Sequence, residues 1–174
     1  RDSPWGEVKK IQNNYREKTI TISDSESGMI AELIFRAYND GIAFRYNVKS
    51  NGSENDKIII SDELTQFNLT NNAQLWWTPA YGDNRYEELY QKSAMSEMDT
   101  SHTPLTIKYP DGIHLSIHEA DLVDYSSMQL FYSNDNNLNC DLAEWNNGDK
   151  VRVSLPFQTP WRTIKIANLS LIHI

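Results

Sequence analysis

The sequence has a single cysteine, Cys140, which excludes both an internal disulfide and a zinc site built from cysteines. Cys140 stands between Leu138 and Leu142 in an alternating stretch, and this predicts a buried, chemically inert thiol. Positive charge is also scarce, since 16 lysines and arginines face 24 aspartates and glutamates, for a net charge of −8. That balance argues against polyanionic partners, namely nucleic acid and an anionic membrane surface.

Long apolar runs are missing as well. No stretch approaches the roughly 18 residues that a membrane span requires, so no span is predicted. A chain of 174 residues with 39% hydrophobic residues is long enough for one domain with a real core. It begins with Arg1 rather than methionine and carries no signal peptide, which predicts a processed chain or a piece cut from a longer one.

The usual catalytic signatures are absent. No Gly-x-Ser-x-Gly elbow frames a serine, and no glycine-rich loop could hold a phosphate. His114 and His118 lie on a predicted strand, where four residues span about 13 Å, so they cannot share one metal ion. The residues alone therefore indicate no self-contained active site.

Alternating apolar residues predict two hairpins. The first joins a strand around Leu33–Ala37 to one around Ile42–Val48 through Asn39-Asp40-Gly41, where we expect glycine to supply the positive φ of a tight turn. The second joins a strand around Leu105–Tyr109 to one beginning at Ile113, through a Pro-Asp-Gly turn.

Further short strands are predicted along the rest of the chain. They lie near residues 17–23, 58–60, 66–69, 130–132, 138–142, 151–155 and 163–166. About ten short strands without a convincing long amphipathic helix predict an all-β antiparallel sandwich. The aromatic stretch from Ala73 to Tyr90 has two interpretations. It is either a sugar-stacking platform or a long loop folded onto a sheet edge.

Glu119 is the most informative single residue. In the strand Gly112–Ala120, Ile113 and Ile117 alternate with polar residues, and continuing that alternation places Glu119 on the apolar side. A buried carboxylate is costly unless a cation or several donors meet it, and the nearby sequence supplies no obvious partner. The alternative is that the strand ends at His118 and Glu119 lies in a solvated turn.

Five ordered motifs carry a family resemblance. They are Phe35–Tyr46, Trp77–Tyr81 with Tyr86-Glu87, Thr103–Thr106, His118–Leu122 with Asp124-Tyr125, and Thr159–Ile164. From residue 4 to about 167, the chain resembles the N-terminal β-domain of glycoside hydrolase family 97. These are the α-glucosidase and α-galactosidase enzymes of Bacteroides-type bacteria. The resemblance implies an antiparallel super-sandwich similar to galactose mutarotase, with the family's first strands missing before Arg1.

The same resemblance implies a role for particular residues. In the family, a (β/α)8 barrel holds the catalytic carboxylates, and the glutamate of the His-Glu-Ala motif ligates a calcium ion at the active site. Here that residue is Glu119, and a hard cation would be its missing partner. The following strand contacts bound sugar in the family, and the matching positions are Asn139, Cys140 and Asp141, whose residue types depart from the family pattern.

The resemblance also implies limits. The barrel is absent from residues 1–167, which we expect to form a partial N-terminal domain, and residues 168–174 form a tail of unclear origin. The fragment alone is therefore predicted to be inactive. The expected role is that of an accessory domain in a periplasmic or secreted calcium-dependent exo-α-glycosidase acting on α-linked oligosaccharides. The alternatives are a stand-alone carbohydrate-binding module using Trp76, Trp77 and Tyr81, and a purely structural sandwich. Exposed strand edges and the barrel-facing surface predict self-association of the fragment.

Overall fold

A computed structural model describes residues 12–49, 56–70, 72–80, 87–134 and 136–168. This part of the chain forms fourteen β-strands and one short 3₁₀ turn, η1, and contains no α-helix. The elements are β1 Arg16–Ser23, β2 Ile30–Tyr38, β3 Gly41–Val48, β4 Lys57–Ile60, β5 Gln66–Asn68, β6 Gln74–Pro79, β7 Gln91–Ala94, η1 Met95–Glu97, β8 Ser101–Lys108, β9 His114–Ala120, β10 Met128–Ser133, β11 Asn137–Leu142, β12 Val151–Ser154, β13 Phe157–Gln158 and β14 Trp161–Ala167. The predicted all-β class is confirmed.

Twelve strands form one curled antiparallel sheet in the order β1-β2-β3-β14-β9-β8-β10-β11-β5. Strand β13 also pairs with β3, β6 pairs with β8, and β7 pairs with β6. Strands β4 and β12 form a separate pair. The described residues include no helix of the length and apolarity that crossing a membrane requires.

The core lies on the inner face of the curled sheet, where strands β6 and β8–β11 supply alternate apolar residues. Those with no solvent exposure are Leu75, Leu105, Ile107, Ile117, Leu130, Leu138 and Leu142. Such alternation buries one face of each strand because successive side chains point to opposite sides of a sheet. Ile117 anchors β9 in this core, so Glu119, two residues later, emerges on the same face at its margin.

Both predicted hairpins are confirmed, but the reason given for Gly41 is wrong. Among the described glycines, positive φ occurs at Gly28, Gly112 and Gly148 and not at Gly41. Gly41 is instead the first residue of β3, opposite Lys165 of β14. A Cβ atom there would lie 2.2 Å from the carbonyl oxygen of Ile164. The close packing of β3 against β14 therefore requires glycine at this position.

Replacing Gly41 with alanine is therefore expected to lower the free energy of unfolding by about 1–3 kcal/mol, because backbone must move to admit the methyl group. Urea denaturation followed by tryptophan fluorescence measures this loss. Asn39→Ala is the matched control, since Asn39 is an exposed residue of the same turn and should change stability by less than about 0.5 kcal/mol. Equal stability of the two variants would contradict the packing argument.

The described part of the aromatic stretch differs from both predictions made for it. Residues 74–79 form β6, which pairs with β7 and β8, so Trp76 and Trp77 belong to the sheet. The sequence obscured this strand because apolar Trp76 interrupts the alternation and Pro79 suggests a break. Pro79 is tolerated because it is the last residue of the strand.

Candidate functional site

Glu119 lies within strand β9, which continues to Ala120, and its side chain is only 7% exposed. The alternative of a solvated turn after His118 is therefore wrong. The carboxylate accepts a hydrogen bond of 2.8 Å from Nη1 of Arg162, the residue opposite Glu119 on β14. Both carboxylate oxygens also face the backbone N–H of Met128, at 3.2 and 3.1 Å. The partner that the nearby sequence lacked thus comes from 43 residues further along the chain.

Arg162 has no solvent exposure and contacts a second carboxylate more closely than the first. Its Nε donates to Glu63 Oε1 at 2.9 Å and its Nη2 donates to Glu63 Oε2 at 2.5 Å. Two parallel bonds of this kind are the strongest pairing that a guanidinium makes with a carboxylate. Arg162 therefore joins Glu63, in the segment between β4 and β5, to Glu119 on β9. We call these three residues the carboxylate cluster.

Hydroxyl groups complete the surroundings of Glu63. Thr65 Oγ1 donates to Glu63 Oε1 at 2.9 Å, and the hydroxyl of Tyr46 lies 3.1 Å from Thr65 Oγ1. The hydroxyl of Tyr125 donates to Glu63 Oε2 at 3.4 Å, and the Arg162 guanidinium lies 5.8 Å from the centre of the Tyr125 ring. Burial, followed by the charge of Glu63, raises the pKa of Tyr125, so its hydroxyl remains a protonated donor.

The carboxylate cluster has an unequal charge balance. With both carboxylates ionised, two negative charges meet one guanidinium, which leaves one net negative charge in a buried position. Burial raises the pKa of Glu119, although Arg162 and the Met128 N–H act in the opposite direction. Burial also acts to lower the pKa of Arg162, but the hydrogen bond and charge of Glu63 outweigh it and the pKa is raised. Glu119 is therefore the less fully compensated of the two carboxylates.

The three predicted sugar contacts lie on β11, and the structure divides them between two faces. Cys140 points into the core, with 5% exposure, and burial raises the pKa of its thiol, a placement that does not favour a sugar contact. Asn139 and Asp141 point to the opposite face, and all three residues contribute to the lining of a cavity of about 110 Å³. Asp141 pairs with Lys150, while the buried Oδ1 of Asn139 has no hydrogen-bond partner among the described residues.

The platform proposed for a stand-alone carbohydrate module is not assembled by the described residues. Trp77 is 6% exposed and its indole N–H donates to Ser93 Oγ at 3.1 Å, so its ring belongs to the core. Trp76 is half-buried, with the Lys92 ammonium 5.1 Å from its ring centre. Tyr81 lies outside the described residues.

Sequence reasoning missed Glu63 and the role of Arg162. Ser61-Asp62-Glu63 has the residue types of a helix cap, whereas the structure has an irregular segment there with Glu63 buried. The alternation of apolar residues could have identified Arg162 as a core-facing residue, because apolar Ile164 follows it two residues later in the strand. The same alternation that placed Glu119 on the apolar face places Arg162 there too.

The carboxylate cluster is not a metal site by itself. In the described part of the chain, no group of three or more histidine, cysteine, aspartate or glutamate side chains could hold a metal ion. Calcium takes roughly six to eight oxygen ligands. Glu119 can offer at most a part of such a set, through Oε1, which accepts a hydrogen bond from the Met128 N–H.

Comparisons with known proteins agree with the fold and motifs. The family model described as glycosyl-hydrolase 97 N-terminal matches residues 2–172. A family 97 enzyme from Pseudoalteromonas sp. strain K8, solved in complex with acarbose, superposes with a TM-score of 0.89 at 39% identity. The match covers 96% of this chain and 26% of that one. A variant of the same enzyme in complex with panose gives the same values.

A curated relative is the retaining alpha-galactosidase of Bacteroides thetaiotaomicron. It is 25% identical over 139 residues, which cover 74% of this chain and 20% of the relative. The chain thus spans about a quarter or less of the length of these relatives. The family match reaches residue 172, beyond the boundary near 167 that the motifs suggested. Residues 169–174 lie outside the described part of the chain.

Proposed function

Because this chain belongs to the family of glycosyl-hydrolase 97 N-terminal domains, we propose that it is the non-catalytic N-terminal domain of a calcium-dependent exo-α-glycosidase. In this role it supplies a calcium ligand and sugar contacts to the active site of a (β/α)8 barrel. Its relatives of solved structure are about four times longer, which supports a separate catalytic part. The complexes of one relative with acarbose and panose support an α-linked oligosaccharide as the substrate class.

The single observation that carries the calcium proposal is the excess negative charge of the carboxylate cluster. A buried negative charge without a counter-charge is costly, and a cation beside Glu119 would offset it. Each carboxylate oxygen can accept two contacts, so Glu119 Oε1 keeps room for one ion beside its bond to Met128. The remaining ligands come from the catalytic part in this proposal. When bound, the ion would supply positive charge next to a sugar oxygen.

The second element of the proposal is the face of β11 that carries Asn139 and Asp141. The partnerless Oδ1 of Asn139 is an acceptor that a sugar hydroxyl or a bridging water could satisfy. Asp141 contributes its carboxylate, which is held in place by its ion pair with Lys150. Cys140 contributes only its position in the strand, since its thiol faces the core.

Glu119→Gln in the longer enzyme tests the calcium role. We expect the calcium affinity, measured by isothermal titration calorimetry, to fall by about tenfold or more, since even an indirect partner of a metal ligand changes affinity by about 10–100-fold. Hydrolysis of an α-linked substrate should fall with it at limiting calcium and recover in part at high calcium.

The control for this experiment is Glu17→Gln. Glu17 is an exposed carboxylate paired with Arg36 at 2.7 Å, so its loss removes one charge without touching the carboxylate cluster. Its calcium affinity should equal that of the wild type. If Glu119→Gln also leaves calcium affinity and calcium dependence unchanged, the domain is a structural sandwich and the calcium proposal is rejected.

A further inference from the structure

The two carboxylates of the carboxylate cluster compete for one guanidinium, and Arg162 divides its donors unequally between them. Glu63 accepts from Nε and Nη2, at 2.9 and 2.5 Å, whereas Glu119 accepts only from Nη1, at 2.8 Å. The side chains of Glu63 and Glu119 are 6% and 7% exposed, so water screens neither charge well. The share of positive charge that reaches Glu119 therefore depends on how firmly Glu63 holds Arg162.

Glu63 itself has no room for a metal ion. A carboxylate has about four sites that can accept a hydrogen bond. Four donors occupy them here, namely two N–H groups of Arg162, the Thr65 hydroxyl at 2.9 Å and the Tyr125 hydroxyl at 3.4 Å. Surroundings that consist of donors favour an ionised carboxylate. Glu63 therefore keeps its negative charge without being available as a ligand.

Glu119 is the more open of the two carboxylates. Among the described residues it accepts one N–H from Arg162, and its two oxygens share the single N–H of Met128, at 3.2 and 3.1 Å. These two donors leave about half of its acceptor sites for other contacts. The carboxylate cluster thus divides two tasks between its acids, since Glu63 binds the guanidinium while Glu119 keeps acceptor sites for a cation.

We propose that Glu63 is a positioning residue that sets the cation affinity of Glu119 without touching the cation. By holding two donors of Arg162, it prevents the guanidinium from pairing fully with Glu119, and the negative charge that remains attracts a divalent cation. The inference rests on the proposed function, in which Glu119 is a calcium ligand, and it extends the ion-binding role to a residue outside the ligand set. The alternative is that Glu63 only stabilises the fold, as the counter-ion of a buried arginine.

Glu63→Gln in the longer polypeptide tests this role by isothermal titration calorimetry with calcium chloride. Glutamine approximates the shape of glutamate but removes its charge, so Arg162 becomes free to neutralise Glu119. We expect the calcium affinity to fall by about tenfold, the lower end of the range for residues that act on a metal ion through its ligands. A fall of less than about threefold, which lies outside that range, overturns the proposal.

A second ion and a second variant separate the effect of charge from that of shape. The attraction between an ion and a fixed charge is proportional to the charge of the ion, so a tenfold loss for Ca²⁺ corresponds to a loss of about thirtyfold for Tb³⁺. Glu63→Asp keeps the charge in a shorter side chain, and we expect it to retain most of the calcium affinity even if Glu63→Gln does not fold. Equal losses for the two ions, or a loss of about tenfold in Glu63→Asp, overturn the proposal.

Two controls exclude a general effect of lost charge or lost stability. Glu17→Gln removes an exposed carboxylate charge, and Leu75→Ala removes a fully buried core side chain from β6, which pairs with β7 and β8. Neither should lower the calcium affinity, and a loss in Leu75→Ala as large as in Glu63→Gln overturns the proposal.

Glu119→Gln distinguishes a failure of this inference from a failure of the proposed function. If Glu119→Gln lowers the calcium affinity and Glu63→Gln does not, the calcium proposal stands and the role of Glu63 is overturned. If neither variant lowers the calcium affinity, the calcium proposal is rejected and the role of Glu63 with it.

Discussion

Replacing Arg162 with methionine is expected to lower the free energy of unfolding by about 3–5 kcal/mol. Arg162 has no solvent exposure and is the cation that both Glu63 and Glu119 contact. Methionine approximates its length but leaves two carboxylates together in a buried site. Urea denaturation followed by tryptophan fluorescence measures the loss, provided that wild type and variant are compared without added metal.

The control is Arg152→Met, at an ion pair of similar length. Arg152 lies 2.5 Å from Asp149, but its side chain is 49% exposed. Exposed pairs contribute between about 0 and 1 kcal/mol, because water screens the charges and solvates the partner that remains. A loss at Arg162 no larger than that at Arg152 would show that water reaches the carboxylate cluster, and the account of its burial would be wrong.

The strands that could be predicted are those with local signals. The β2–β3 hairpin follows from alternation on both sides of a two-residue turn, and the β8–β9 hairpin follows from the turn at residues 110–112. The same period-2 pattern places Leu138, Cys140 and Leu142 on the core side of β11, as the structure has them. In these segments each side chain's environment depends on neighbours a few residues away, so the sequence is sufficient.

The features that could not be predicted depend on contacts between distant segments. Arg162 and Glu63 are 99 residues apart, and their pairing arises only when β14 crosses the sheet beside β9. Gly41 is similar, because the atom that excludes a side chain there belongs to Ile164 of a different strand. Neither fact has a local signature. Glu119 could be placed on the apolar face by alternation, whereas the identity of its partner could not.

The position of the carboxylate cluster bears on the calcium proposal. It lies where the apolar core ends, with Ile117 on one side and Tyr125 on the other. A fixed guanidinium holds the Glu119 carboxylate in one orientation, so an incoming ligand set would not have to order that side chain. The conformational entropy of the Glu119 side chain is therefore already lost in the free domain, and such preorganisation strengthens binding.

The two glutamates of the carboxylate cluster should differ in their importance for stability. Glu63→Gln is expected to cost about 3 kcal/mol, because it breaks the bidentate pair and turns an amide N–H₂ toward the Arg162 donors. Glu119→Gln should cost less than about 1 kcal/mol, since the glutamine carbonyl can still accept from Arg162 and one uncompensated charge disappears. Urea denaturation of the two variants without added metal measures the difference.

The pH dependence of folding stability tests the role of Glu119 in a second, independent way. Burial raises the pKa of Glu119 in the folded chain, so the folded state binds its proton more tightly than the unfolded state does. The stability that this proton contributes is full below the unfolded pKa and is lost as the pH rises through the folded pKa. Relative to wild type, the stability of Glu119→Gln should therefore rise as the pH increases above the ordinary pKa of a glutamate. If the stability of Glu119→Gln instead falls relative to wild type as the pH increases, then Glu119 is a fully compensated ion-pair partner and the cluster holds no excess charge for a cation to offset. The same conclusion follows if Glu119→Gln lowers the free energy of unfolding as much as Glu63→Gln does.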